Sequence, residues 1–180
     1  DDQIPVGSAY EFSLPSQGVN SQYQWRLNGE DIDGAVGATY ALPAISRETM
    51  GEYSAEVTNS ALPGLILKSA VQKVLAHAEV SGKLLAESEM PAAQGQMTLY
   101  KIQPGAFELV KTVNVDPDGS YIFEEVILDD YQVRGFADTL LYNNALPTYY
   151  ESTIFWEEAD TLVLVDNIND LDIISQLKPG

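Results

Sequence analysis

A tryptophan and a tyrosine on two alternating segments constrain the first half of this chain more than any other feature. Trp25 stands in the apolar–polar alternation of residues 21–28, and Tyr53 follows a glycine by two positions at the start of another alternating segment, 51–58. A period of two is typical of strands that bury one face. A strand tryptophan and a Gly-x-Tyr corner together favour a two-layered β-sandwich. In disulfide-bonded sandwiches of this layout the residue two after the tyrosine is cysteine, whereas here it is Ala55.

The interior of this sandwich has to be held by packing, because the chain contains no cysteine. Phe12 or Leu14 takes the place of the first cysteine, and we expect this large side chain to lie against the small Ala55. A missing disulfide costs about 2–4 kcal/mol, so we predict a well-packed core. The predicted core residues are Phe12, Trp25, Tyr53 and Ala55. The absence of cysteine also excludes thiolate zinc sites and cysteine nucleophiles.

The rest of the chain alternates in short segments between turns, and no segment has the pattern of a capped amphipathic helix. Asn28-Gly29 and Asp116-Pro-Asp-Gly119 are turn sequences. The predicted strands are 8–14, 21–28, 40–45, 51–58, 65–74, 80–86, 96–102, 107–115, 119–126, 131–137, 161–165 and 171–174. The sequence therefore predicts an all-β protein of two tandem antiparallel β-sandwiches, 1–77 and 78–180, joined by a very short linker at 77–79.

The charge is strongly negative and uneven. The net charge is −18, of which residues 78–180 contribute −13. Nucleic acid is therefore not expected as a partner. We expect instead high solubility or an attraction for cations. No apolar run is long enough to span a bilayer, so we expect no membrane insertion. The N-terminal Asp1-Asp2-Gln3 lacks the pattern of a signal peptide, which leaves the compartment open.

Three motifs of the first half are shared with a known family: Tyr23-Gln-Trp25-Arg-Leu-Asn-Gly29, Gly51-Glu-Tyr53 and Val57-Thr-Asn-Ser60. Over about residues 3–75 the chain resembles the immunoglobulin-like domains of multidomain extracellular proteins. The motifs are similar in particular to the bacterial branch that stands beside leucine-rich repeats in secreted proteins of Bacteroidetes type. The resemblance implies the fold, and it is compatible with adhesion, spacing or ligand display.

The second half carries Val80-Ser-Gly82-Lys-Leu84, Met97-Thr-Leu99-Tyr100, Asp116-Pro-Asp-Gly119-Ser-Tyr121 and Tyr131-Gln-Val133. It resembles the prealbumin-like modules of bacterial surface proteins, known as carboxypeptidase-regulatory-like, Cna-B-like or SdrD B-like domains; Asp129 replaces the glycine usual before the Tyr131 strand. The resemblance implies a non-catalytic stalk or accessory module of a longer secreted or cell-surface bacterial protein. Its partners would be other domains of the same polypeptide.

Four aspartates near two predicted turns are candidate calcium ligands. They are Asp116, Asp118, Asp129 and Asp130. Several hard oxygens that converge on one ion would suit calcium. The full EF-hand pattern is absent, and Asp-Pro-Asp-Gly is itself a favourable tight turn. We therefore expect a structural turn, with calcium as the alternative and no other cofactor.

Cna-B-type domains sometimes contain an internal Lys–Asn isopeptide bond, and the resemblance implies a possible equivalent. The residues would be Lys83, Asn167 or Asn169, and Glu124 as the acid. Alternation in 80–84 places the Lys83 side chain on the solvent face, which argues against the bond.

Five aromatic residues lie in the long connection between 137 and 161: Tyr142, Tyr149, Tyr150, Phe155 and Trp156. Exposed rings could stack on sugars or contact a partner protein. Alternatively the rings plug the open end of the sandwich, with Trp156 over the core, and we favour this plug because a long loop needs its own packing.

No motif for catalysis is present. His77 is the single histidine and lies at the predicted domain junction, without a nucleophile motif beside it. We predict a non-catalytic structural spacer or adhesion module. The alternatives are a glycan- or protein-binding module that uses the Tyr149–Trp156 loop, with or without calcium, and an accessory domain of a secreted hydrolase.

Overall fold

The computed structural model describes residues 1–15, 18–87 and 90–178, and it divides into two compact units, Asp1–His77 and Ala78–Gly180. The strands in chain order are β1 (Asp2–Pro5), β2 (Tyr10–Ser13), β3 (Ser21–Leu27), β4 (Glu30–Asp31), β5 (Thr39–Leu42), β6 (Gly51–Asn59), β7 (Ile66–Lys68), β8 (Gln72–Glu87), β9 (Met90–Pro91), β10 (Gly95–Gln103), β11 (Ala106–Asn114), β12 (Ser120–Ile127), β13 (Asp130–Ala137), β14 (Thr148–Tyr149), β15 (Leu162–Val163) and β16 (Ile173–Ile174). Short 3-10 turns cover Arg47–Thr49, Tyr150–Ser152 and Trp156–Glu158. The predicted all-β fold class is confirmed.

The first unit consists of two sheets. In the larger sheet the order is β1, the first part of β8, β6, β3 and β4, with β7 also paired to β6. In the smaller sheet β2 pairs with β5. The β3–β4 hairpin turns at Asn28 and Gly29, whose φ angles of 52° and 87° suit the two residues. Trp25 on β3 lies opposite Ala55 on β6, so the large ring faces the small side chain across the pair.

The predicted core residues lie in the interior of this unit. Phe12, Trp25, Tyr53 and Ala55 are each at most 3% exposed. The Phe12 ring centroid lies 4.4 Å from that of Tyr53 and 5.6 Å from that of Trp25. The indole Nε1 of Trp25 donates to the backbone carbonyl of Gly37 at 2.9 Å. The hydroxyl of Tyr53 donates to the backbone carbonyl of Thr49 at 2.6 Å. Both polar groups of the buried rings are therefore satisfied without leaving the interior.

The predicted closing strand 65–74 is wrong, because the structure divides it into β7 and the beginning of β8. The division falls at Ser69, whose backbone N–H donates to the carbonyl of Ala55 at 2.9 Å. The Ser69 hydroxyl accepts from the N–H of Ala55, also at 2.9 Å. Since one serine satisfies both backbone groups of Ala55, the chain can leave β6 after Lys68 and return to it at Gln72.

The second unit also has two sheets around one core. The later part of β8 pairs with β9, β12 and β16, and the other sheet has the order β11, β10, β13, β14, with β15 beside β13. The largest fully buried side chains include Leu84, Met97, Leu99, Phe123, Val133 and Ile173. A Cβ added at Gly82 would stand 2.2 Å from the carbonyl oxygen of Leu171, so only glycine permits this approach of the backbones. The Tyr131 hydroxyl donates to the carbonyl of Ile127 at 2.6 Å, which repeats the four-residue corner of Tyr53.

Two further features differ from the sequence prediction. The linker expected at residues 77–79 is absent, because these residues continue strand β8, with His77 opposite Pro5 of β1. The pairings of β8 with β1 and with β16 are parallel, in sandwiches that were predicted as antiparallel. The alternation of apolar residues indicates which face a strand buries, and it does not specify the strand's direction relative to its neighbour.

Candidate ligand-binding face

Strands β10 and β13 of the second unit place aromatic, amide and guanidinium groups on one face of their sheet. On β13, Tyr131 and Val133 are buried in the core, so Gln132 and Arg134 lie on the opposite face. On β10 the core residues are Met97 and Leu99, and alternation puts their neighbours on that same opposite face. We call this surface the outer face.

The strand register arranges the outer face in three cross-strand rows. Residues directly opposite in antiparallel strands lie side by side on one face. The first row is Asn114, Gln96 and Phe136; the second is Thr112, Thr98, Arg134 and Tyr149; the third is Leu109, Tyr100 and Gln132. The polar and aromatic side chains therefore form one continuous surface that four strands support.

An aromatic groove of about 490 Å³ occupies one end of the outer face. We call it the Trp156 groove; its lining residues are Tyr100, Gln103, residues 105–107, Gln132, Tyr149 and Trp156. The Trp156 ring meets Phe107 edge to face at 5.1 Å, and the two side chains are 49% and 39% exposed. Gln132 is nearly buried and donates from Nε2 to the carbonyl of Trp156 at 2.9 Å. This bond holds the backbone of the short turn that carries Trp156 against β13.

Arg134 stands in the middle row beside this groove. Its guanidinium carbon lies 5.2 Å above the centroid of the Tyr100 ring. Its Nε is buried and has no hydrogen-bond partner in the described part of the chain. No carboxylate of the residues 1–15, 18–87 and 90–178 forms an ion pair with it. A buried donor without a partner costs about 1–3 kcal/mol.

The five aromatic residues predicted from the sequence divide between this groove and other places. Tyr149 and Trp156 line the groove, whereas Tyr142, Tyr150 and Phe155 do not. The Tyr142 hydroxyl accepts from the backbone N–H of Ala93 at 2.9 Å, and burial raises the pKa of Tyr150. Phe155 is 55% exposed. The expected plug is wrong for Trp156, because half of its side chain faces solvent instead of covering the core.

The groove residues that come from strands were not predicted from the sequence. The side chains concerned are Tyr100, Gln103, Phe107 and Gln132, and Arg134 lies beside them on β13. Their signal was present in the alternation of 96–102 and 131–137, where aromatic and polar side chains share the face opposite the core. The register that brings the two strands together was needed to see them as one site.

The four aspartates proposed as calcium ligands do not form a joint site. Asp118 accepts from the hydroxyl of Ser120 at 2.6 Å and from its N–H at 3.1 Å, and these bonds lower the pKa of Asp118. Asp129 forms an ion pair with Lys101 at 2.6 Å. The described residues contain no group of three or more His, Asp or Glu side chains placed to hold a metal ion. The backbone N–H of Gly119 donates to the carbonyl of Asp116, as expected for the structural turn.

Of the residues considered for an isopeptide bond, Lys83 and Asn169 line one open cleft. Lys83 is exposed, as alternation predicted. The side-chain oxygen of Asn167 accepts from the N–H of Glu79 at 2.8 Å, and Glu124 is exposed on β12. Such a bond forms in a buried environment, and the exposed Lys83 does not provide one.

Across the described ranges of the chain, no helical segment has the length and apolarity that a bilayer-spanning helix requires.

No family model matches this chain, and no curated protein matches it. Solved structures that match this chain include BcpA, the major pilin subunit of Bacillus cereus, at 11% identity and a TM-score of 0.37, with 98% of this chain and 67% of that chain covered. Immunoglobulin domains 1–5 of Sidekick-1 match at 10% identity and a TM-score of 0.40, with 97% and 35% covered. Extracellular domains 3–5 of Drosophila OTK match at 15% identity and a TM-score of 0.34, with 96% and 62% covered. The chain thus spans about a third of the Sidekick-1 structure and under two thirds of the OTK structure. At these identities and TM-scores the likeness establishes nothing about this chain beyond what its own strands show.

Proposed function

We propose that this chain is a non-catalytic adhesion module of a larger secreted or cell-surface protein, and that its second unit binds a glycan in the Trp156 groove. The observation that carries the proposal is the half-exposed Trp156 ring, which the hydrogen bond from Gln132 and the edge of Phe107 hold in place. A large aromatic ring in this state exposes apolar surface that a ligand could bury.

The chemistry of the groove suits a sugar. A pyranose ring has an apolar face of C–H groups and an edge of hydroxyls, so it pairs an aromatic surface with hydrogen-bonding groups around it. The rings of Trp156 and Phe107 provide the surface, and Tyr100 and Gln103 also line the groove. A small number of fixed polar groups around an apolar floor is the usual composition of a ligand site.

The test is a glycan array followed by calorimetric titration of the glycans that bind. Replacing Trp156 by Ala removes the ring, and we expect affinity to fall at least tenfold, about 1.4 kcal/mol. The matched control is Phe155→Ala, because Phe155 is an exposed neighbouring aromatic outside the groove. Equal affinity of both variants and the unmodified chain would refute the groove as the binding site.

A purely structural role, as a spacer between other domains of the same polypeptide, is the second candidate. Both units are compact sandwiches with fully buried cores, which such a role requires. If no glycan on the array binds at millimolar concentration, the spacer remains and the adhesion proposal fails. A role as an accessory domain of a secreted hydrolase would then be tested by the activity of the full-length protein with and without this region.

A further inference from the structure

We infer that the glycan is the interior of an extended, neutral, linear polysaccharide, which lies across the outer face and occupies a second groove together with the Trp156 groove. This inference rests on the proposed function and specifies the class of glycan. Four observations support it in turn: a second groove, the length of the face between the two grooves, the guanidinium of Arg134 and the local charge.

The second groove lies at the opposite end of the outer face, at the first row. It has a volume of about 450 Å³, and we call it the amide groove. Its chemistry-bearing residues are Gln94, Gln96, Asn114, Phe136 and Asp138. Primary amides both donate and accept hydrogen bonds, which matches sugar hydroxyls, and Phe136 adds a ring. Gln96 donates to Asn114 at 3.2 Å, a bond at the long end of the usual range that a ligand hydroxyl could replace.

The distance between the grooves sets the length of the ligand. Gln96 in the amide groove and Tyr100 in the Trp156 groove are four residues apart on β10. Phe136 and Gln132 have the same separation on β13. At about 3.3 Å per strand residue the grooves are roughly 13 Å apart. One sugar ring cannot reach across this distance, whereas a linear chain of several rings can.

Arg134 lies in the row between the grooves. It pairs with Thr98 on β10 and with Tyr149 on β14. A chain that occupies both grooves has to pass its guanidinium, and the hydroxyl and ring oxygens of a sugar are acceptors for the terminal N–H groups of that guanidinium. The contact of Arg134 with the Tyr100 ring restrains the guanidinium before binding, which reduces the entropy lost with the ligand.

The charge near the face favours a neutral chain over an acidic one. Asp138 lines the amide groove, Glu108 follows Phe107 on β11, and Glu157 and Glu158 follow Trp156. Residues 78–180 carry a net charge of −13. Every acidic unit of a polyanion would be repelled here, and Arg134 alone could not compensate along the whole chain.

The experiment compares disaccharides with hexasaccharides. The probes are neutral linear cello-, xylo-, malto-, laminari- and manno-oligosaccharides, titrated by calorimetry. We expect the best hexasaccharide to bind at least tenfold more tightly than its disaccharide. Gln96→Ala should raise the Kd of the hexasaccharide at least about twofold and leave the Kd of the disaccharide unchanged. Trp156→Ala should weaken the binding of both. Gln22→Ala, at an exposed glutamine on β3 of the first unit, is the matched control. Melting by circular dichroism verifies that each variant is folded.

The possible outcomes separate the inference from the proposed function. Equal affinity for disaccharide and hexasaccharide, with binding lost in Trp156→Ala and unaffected by Gln96→Ala, would overturn the extended site and leave a glycan site in the Trp156 groove. Tighter binding of polygalacturonate, weakening steeply as salt rises, would overturn the neutral class. Polylysine that displaces the hexasaccharide at low salt would assign the face to a basic protein partner instead. Failure of the whole series, together with a silent array, would end the proposed function itself.

Discussion

The Tyr53 corner gives a direct measure of how the first unit holds its core without a disulfide. Tyr53 is 1% exposed, and its hydroxyl donates to the carbonyl of Thr49 at 2.6 Å. Tyr53→Phe deletes this hydrogen bond and keeps the ring, whose centroid lies 4.4 Å from that of Phe12. The substitution therefore isolates one polar contact in an otherwise unchanged interior.

The expected loss follows from what the substitution leaves behind. A net hydrogen bond contributes about 1 kcal/mol, and a carbonyl that loses its partner adds up to about 1–3 kcal/mol when it is fully buried. Thr49 is only half-buried, so water can reach its carbonyl in part. We therefore expect a loss of about 1–2 kcal/mol. For a unit of 60–100 residues each kcal/mol lowers Tm by about 4–8 °C, so the expected fall is about 4–16 °C.

Fluorescence of Trp25 is a suitable probe, because Trp25 is 3% exposed and lies in the same ring cluster. The measurements use a Trp156→Phe background, which leaves Trp25 as the single tryptophan. Tyr40→Phe is the matched control, since the Tyr40 ring lies 6.2 Å from that of Tyr53 and its hydroxyl bonds to no described residue. A Tm fall in Tyr53→Phe no larger than in Tyr40→Phe would refute the assignment of the corner as a stabilising contact.

Three further predictions concern stability. Gly82→Ala should destabilise the second unit by about 3 kcal/mol or more, because its Cβ would meet the carbonyl of Leu171; a Tm within about 2 °C of the unmodified chain would contradict the close approach. Adding about 5 mM Ca²⁺ or excess chelator should leave Tm unchanged, and a calcium-dependent rise lost in Asp116→Asn would establish the metal site after all. Burial raises the pKa of Tyr53 to about 12 and raises that of Tyr121 as well. Since a raised tyrosine pKa means that the folded state resists ionisation, stability should be intact below pH 10 and fall as the pH rises towards 12, and a flat denaturant midpoint across this range would be inconsistent with it.

The fold was predictable because its signals are local. Trp25, the Gly51-x-Tyr53 corner and the Asn28-Gly29 turn are short patterns, and each depends on strand alternation or on backbone angles that few residues adopt. The exchange of β7 for β8 beside β6 was not predictable in the same way. It depends on Ser69 reaching Ala55, fourteen residues away, and no local pattern encodes that contact.

The candidate site was predictable only where it lies on the loop. Tyr149 and Trp156 stand in a run of aromatic residues, so composition alone drew attention to them. Tyr100 and Arg134 are single residues on strands 34 positions apart, and they meet because β10 pairs with β13. Strand pairing over such a separation is a property of the tertiary fold, and alternation leaves the partner of each strand open.

Two polar residues of the outer face are more buried than strand alternation alone would predict. Their burial bears on both the stability of this face and its proposed function. Solvent-facing positions of a sheet are usually hydrated, yet Thr98 and Gln132 are only 5% and 6% exposed. Gln132 is satisfied by the carbonyl of Trp156, and Thr98 lies next to Arg134 in the middle row. A buried polar side chain keeps its hydrogen bond only while the residues that cover it stay in place. A face built only for solubility has no need of this second layer, whereas a face that receives a ligand gains from side chains that are already in position before binding.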